Sequence, residues 1–142
     1  MARGRGGAIV SFTNYLAAEI LDHLFTDGAY APPATLYLGL STTTPTEGGG
    51  NFTEPTDGYS RVATTAADWA AATVANPAVK TTVAEKSFPT AAGSWGEITH
   101  CGLWDASTGG NLLSAAQLET PRTVGAGDIL RFGVGGISLT LT

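Results

Sequence analysis

Beyond Pro32-Pro33 the chain is cut by glycine, aspartate and proline breaks into short β-type segments, and only one amphipathic stretch precedes them. Thr35–Leu40 alternates with Leu36, Leu38 and Leu40 on one face, the period of a half-buried strand. Tyr59–Thr64 reads as a second strand, and Val79–Phe88 as a third, rich in Thr and Val. Ala66–Ala78 is alanine-rich but broken by Thr73, Val74, Asn76 and Pro77, and is expected to be mostly extended. Trp95–Trp104 and Asn111–Leu118 flank the turn Asp105-Ala106-Ser107-Thr108-Gly109-Gly110 and read as a hairpin. Thr120–Val124, Ile129–Val134 and Ile137–Leu141 follow, separated by Gly125-Ala126-Gly127-Asp128 and Gly135-Gly136. The total is about seven or eight strands without βαβ alternation. The expected fold is mainly β: an antiparallel β-sandwich, jelly-roll-like, with one N-terminal α-helix.

That helix is expected over Ser11–Phe25. Phe12, Leu16, Ile20 and Leu24 recur every fourth residue and form its docking face, widened by Leu21 and Phe25. Ser11 or Thr13 supplies an N-cap oxygen, and Asp27-Gly28 is expected to end the helix. So broad an apolar stripe must dock on a sheet, on other helices or on a neighbouring subunit. Residues 1–10 are expected to be a flexible N-terminal arm, because Arg3-Gly4-Arg5-Gly6-Gly7 is too glycine-rich to hold one conformation. Residues 11–142 then make a single domain. The long Thr/Gly/Pro stretch from Ser41 to Gly58 is expected to be a functional or mobile loop.

The 142 residues carry a net charge of −5, 43% hydrophobic residues and only 13% charged residues. This is the balance of a chain that folds, not of a disordered one, and its low charge suits surfaces that meet other proteins. There is no clustered basic face for nucleic acid and no apolar run long enough to cross a membrane. Arg3 and Arg5 followed by Ala8-Ile9-Val10 imitate a signal peptide only faintly, since Thr13, Asn14, Glu19 and Asp22 interrupt the run. No export signal is read. Cys101 is the single cysteine, so an intrachain disulfide framework is excluded.

Catalytic chemistry finds little to use. His23 and His100 are far apart in sequence, and His100 and Cys101 are neighbours on one strand, so their side chains should point to opposite faces. There is no metal-ligand spacing, no nucleophile elbow and no phosphate-binding glycine loop. The expectation is no enzyme, no catalytic residue, no cofactor and no metal. Trp95 and Trp104 flank the hairpin strand and are expected to be core aromatics rather than a sugar-stacking platform. Glycan binding through exposed aromatics such as Tyr37 is the open alternative.

A resemblance rests on Pro33-Ala34-Thr35-Leu36-Tyr37-Leu38-Gly39-Leu40-Ser41-Thr42, Glu54-Pro55, Gly58-Tyr59-Ser60-Arg61-Val62 and Phe88-Pro89-Thr90. It continues through Ser94-Trp95-Gly96-Glu97-Ile98-Thr99-His100, Leu103-Trp104-Asp105-Ala106 and Gly109-Gly110-Asn111-Leu112-Leu113. In this order the motifs resemble a family of small tailed-bacteriophage virion proteins, described either as capsid decoration (cement) proteins or as tail fibre proteins. The resemblance implies a structural virion protein made in the bacterial cytoplasm and leaves its place on the virion open; the capsid exterior is the expected location on the physical grounds that follow. The resemblance implies the major capsid protein as partner and a homotrimer as the assembled form. Long fibres have coiled-coil or repetitive shafts, and this chain has neither heptads nor repeats, so decoration is the expected role, with a tail fibre or baseplate part as the alternative. The arm would then grip the capsid through Arg3, Arg5, Ile9 and Val10. Ten extended residues reach about 33–36 Å, and arginines pair well with carboxylates.

Overall fold

The computed structural model describes residues 8–141. The fold is mainly β with one α-helix. Strand β1 (Ala8–Phe12) is followed by α1 (Asn14–Phe25), β2 (Leu36–Ser41), β3 (Val62–Thr64), β4 (Ala78–Thr81) and β5 (Lys86–Ser87). Then come β6 (Gly96–Trp104), β7 (Leu112–Val124), β8 (Arg131–Phe132) and β9 (Ile137–Leu141). Seven strands form a sheet in the order β3-β2-β6-β7-β1-β9-β4, and β5 pairs with β8 in a separate ribbon.

The hairpin β6–β7 is its backbone, with Cys101 opposite Ala116 and Leu103 opposite Ser114. Leu38 and Leu40 of β2, Ile98, Cys101 and Leu103 of β6, and Ala116 and Leu118 of β7 share one buried cluster. Phe88 beside β5, Leu130 beside β8 and Ile137 of β9 close that cluster. This is sandwich packing: one apolar face of the large sheet is covered by the small ribbon and its flanks. Thr35–Leu40, the hairpin and Ile137–Leu141 thus lie close to where alternation and turn chemistry put them.

The start of the chain differs from expectation. Ala8, Ile9 and Val10, expected in a flexible arm, pair in parallel with Ile137, Ser138 and Leu139 of β9. Ser11 and Phe12, expected as the first helical residues, pair antiparallel with Ala115 and Ser114 of β7. Five residues are enough for a strand when neighbours on both sides supply hydrogen bonds. The helix begins only at Asn14 because Thr13, in an extended conformation, is its N-cap. The Thr13 hydroxyl accepts from the Leu16 N–H at 3.4 Å and donates to the Leu112 carbonyl at 2.7 Å. At the other end it is Thr26, not Gly28, that stops the helix. Thr26 is extended (φ −134°), and its N–H and hydroxyl both bond the Asp22 carbonyl, at 3.0 and 2.7 Å.

Other boundaries moved for local reasons. Tyr59, Ser60 and Arg61 stay outside β3, and the side chains of Tyr59 and Arg61 are engaged with Glu54, as described below. Ala66–Asp68 forms a short 3-10 turn and Val79–Phe88 divides into β4 and β5. The Asn111–Leu118 and Thr120–Val124 segments fuse into one 13-residue strand despite Pro121. Beyond Ala115, β7 is paired on its β6 side alone among the described residues, and such an edge tolerates a residue with no N–H.

Candidate interaction surfaces

The Ser41–Gly58 stretch is folded onto the sheet by its own polar side chains. Ser41 Oγ accepts from the N–H of Thr43 and of Thr53, and the Thr42 N–H bonds the Thr53 carbonyl. Farther along, Glu54 and Arg61 form a bidentate pair, Nε to Oε1 and Nη2 to Oε2 at 2.8 Å each. Arg61 Nη1 also donates to the Ala106 and Gly109 carbonyls, at 2.7 and 2.8 Å, so one side chain ties this loop to the β6–β7 turn. The guanidinium stacks on Trp104, 3.8 Å from the ring centroid, and only 4% of the Arg61 side chain is exposed. Tyr59 donates its hydroxyl to Glu54 at 2.8 Å and accepts from the Leu40 N–H. Burial holds that phenol protonated far above its ordinary range.

Two glycines make this covering possible. A Cβ on Gly39 would lie 3.0 Å from Trp104 Nε1, and one on Gly102 would lie 2.7 Å from both Phe52 and Leu112. With the loop on one side and the core on the other, His100 and Cys101 are both buried. Burial lowers the His100 pKa and pushes the Cys101 thiol up to about 12. A thiol held protonated is a poor nucleophile. Cys101 should therefore resist a disulfide exchange reagent in the native protein and react fully once the chain is unfolded in denaturant. Rapid labelling of the native state would contradict its enclosure. Among the described residues no group of three or more His, Cys, Asp or Glu is placed to hold a metal ion.

The surface features are elsewhere. Helix α1 has no buried residue. Of the expected docking face, Phe12 belongs to β1, Leu16 and Ile20 are half-buried, and Leu24 is 66% exposed. Leu21 and Phe25, which widened the stripe, are also open, Phe25 at 78%. The helix rests on the ends of β1 and β7 without burying its apolar side in its own subunit. The acids around it are Glu19, Asp22 and Asp27, with Glu47 beside Asn14, whose N–H bonds the Glu47 carbonyl.

The second feature is an open groove of about 550 Å³ beside the unpaired length of β7, lined by Leu118, Arg122, Ile129, Arg131 and Phe132 among others. Asp128, the last residue of the Gly125–Asp128 turn, also lines it; the turn is closed by Gly125 N–H to Asp128 Oδ2 at 2.8 Å and held to the body by Ala91 N–H to the Asp128 carbonyl at 2.9 Å.

Arg3 and Arg5 lie outside the described residues, and the backbones of Ile9 and Val10 are engaged with β9. Trp95 is a core aromatic, buried, with its Nε1 donating to the Asp57 carbonyl at 3.1 Å. Trp104 is half-buried outside the main cluster, edge-on to Phe52 and stacked under Arg61. The Arg61 knot and the groove have no linear signature, since their parts come from separate segments. The exposed helix was visible only as an apolar stripe.

The structure is thus a sandwich-type β domain with an outward helix, a sealed thiol and a pinned loop. The chain matches the family model described as podophage GP4 fiber I protein gp80 over residues 11–140. It therefore belongs to that family, and is a structural protein of the bacteriophage virion. No curated protein matches it.

Proposed function

We propose that this protein is a non-enzymatic module on the outside of the virion, held by protein–protein contacts and serving in a fibre assembly. The observation that carries the binding role is α1, whose Leu21, Leu24 and Phe25 remain exposed in the isolated subunit. A surface helix normally turns its apolar stripe to its own core, and exposed apolar patches mark interaction sites. The fibre assignment draws on the family description. With strands of at most 13 residues and a 12-residue helix, the chain would be a base or knob of such a fibre rather than its shaft.

A second reading is favoured by that same compactness: a decoration protein on the capsid shell, bound to the major capsid protein as a homotrimer at local threefold positions. Binding only the mature shell would stabilise it by mass action. Counting copies per purified virion, by quantitative mass spectrometry or by locating the domain in a particle map, separates the two. A few dozen copies or fewer, at the tail or neck, is the expected result. Hundreds of copies spread over the shell would replace the fibre reading with decoration.

A further inference from the structure

We infer that α1 of one copy seats in the β7-edge groove of a second copy, a head-to-tail contact that links identical subunits. The inference does not depend on whether the subunit serves a fibre or a shell. It rests on matching two surfaces of the same molecule.

The helix side is apolar and anionic. No Lys or Arg stands between Arg5 and Arg61, so Leu21, Leu24 and Phe25 are flanked in the chain by Glu19, Asp22 and Asp27, and His23 is the one basic side chain in the last turn of the helix. Two such helices facing each other would bring like charges together around the apolar contact, which disfavours a symmetric helix–helix pair. A fitting surface would offer exposed cations together with some apolar side chains, and the β7-edge groove has both within a largely polar lining.

Five of the chain's seven cations do not meet that requirement or lie outside the described residues. Arg3 and Arg5 are outside. Arg61 is consumed by Glu54 and two carbonyls, Lys86 pairs with Asp68 at 2.8 Å, and Lys80 donates to the Ala70 carbonyl. The remaining two, Arg122 and Arg131, both line the groove. The Arg122 side chain has no hydrogen bond or ion pair among the described residues, and Arg131 makes only a 3.8 Å contact with Glu85, both groups more than half exposed. Such a pair is worth little and is readily exchanged. The groove also carries two acids, Asp128, which accepts from the Gly125 N–H, and Glu119, which has an interaction of its own. The attraction therefore comes from the side of Arg122 and Arg131 and not from the groove's net charge.

The same groove is lined by Ile129, 42% exposed, the half-buried Phe132 and the edge of the buried Leu118. A groove of about 550 Å³ has room for a leucine and a phenylalanine side chain from a docked helix. Seating an apolar helix face with alternate-turn anchors in a groove is a recurrent recognition mode. Because the two contact surfaces differ, the contact is heterologous. Such contacts generate a closed ring if the rotation between copies closes, and a filament if it does not.

The test is the mass of the full chain in solution, by sedimentation velocity from micromolar to millimolar concentration. Leu24→Glu/Phe25→Ser alters the helix, and Arg122→Glu/Arg131→Glu alters the groove. All four positions are exposed, and circular dichroism would confirm that both variants fold. The wild-type chain is expected to associate beyond a dimer, and each variant to fall to monomer. Mixing the two variants is expected to restore a one-to-one dimer, since one retains an intact groove and the other an intact helix. A monomeric wild-type chain would overturn the inference. So would a groove variant that still assembles, which is the outcome of helix–helix pairing, or a mixture that stays monomeric.

Discussion

Replacing Arg61 by alanine will lower the unfolding free energy by about 3–5 kcal/mol, the usual cost of leaving one half of a buried ion pair behind. Four hydrogen bonds and a stacked ring depend on this side chain. Without it Glu54 keeps only Tyr59 beside its carboxylate, and the Ala106 and Gly109 carbonyls lose their donor. For a domain of this size the loss corresponds to about 10 °C in Tm. Urea unfolding monitored by tryptophan fluorescence measures it directly. Arg61→Lys should recover only a minor part, because an ammonium cannot make the bidentate fork or lie flat on Trp104. A loss below about 1 kcal/mol, the range of exposed pairs, would show that the Glu54–Arg61 pair is solvated and that the loop is held by its Ser41 and Thr43 bonds instead.

Trp95→Ala is expected to cost a similar amount, about 3–5 kcal/mol, for a different reason. The indole fills the core between Tyr59, whose ring it meets edge-on at 5.5 Å, and the Leu38–Ile98 cluster. Its Nε1 also holds the Asp57 carbonyl. Trp95→Phe keeps most of the apolar volume and gives up that hydrogen bond, so about 1 kcal/mol of its loss is polar. The denaturation midpoints of the two variants should be well separated. Equal losses would mean that the hydrogen bond to the loop, rather than packing, is what Trp95 contributes.

Elements whose evidence is local could be read from the residues alone. The hairpin needed only two alternating runs and a Gly-rich turn between Trp104 and Asn111. Leu36, Leu38 and Leu40 announced their strand by period. Strand β1 was not legible, because Ala8–Phe12 is short, adjoins a glycine-rich run, and owes its strand state to β7 and β9, far along the chain. Asn111–Leu118 and Thr120–Val124 read as two strands, yet they form one, because the one-sided pairing of β7 tolerates Pro121 within it. The helix was visible as an apolar stripe, yet nothing in the stripe tells whether its own sheet will receive it. Residues 54, 61, 106 and 109 come together only in space, so the knot around Arg61 left no linear trace. The groove escaped notice for the same reason: it forms between a strand edge and a turn.

The parallel pairing of β1 with β9 has a temporal consequence. Ala8 and Ile137 are register partners, although more than a hundred residues of synthesis separate them. Until β9 leaves the ribosome, the strand nearest the start has one bare backbone edge, and the buried Ile137 is missing from the core. Contacts this distant in sequence slow folding, and a bare edge invites pairing with the wrong chain. The nascent subunit thus waits with an open seam for most of its translation, and shortening it by a few residues at Ile137–Leu141 would leave that seam unclosed.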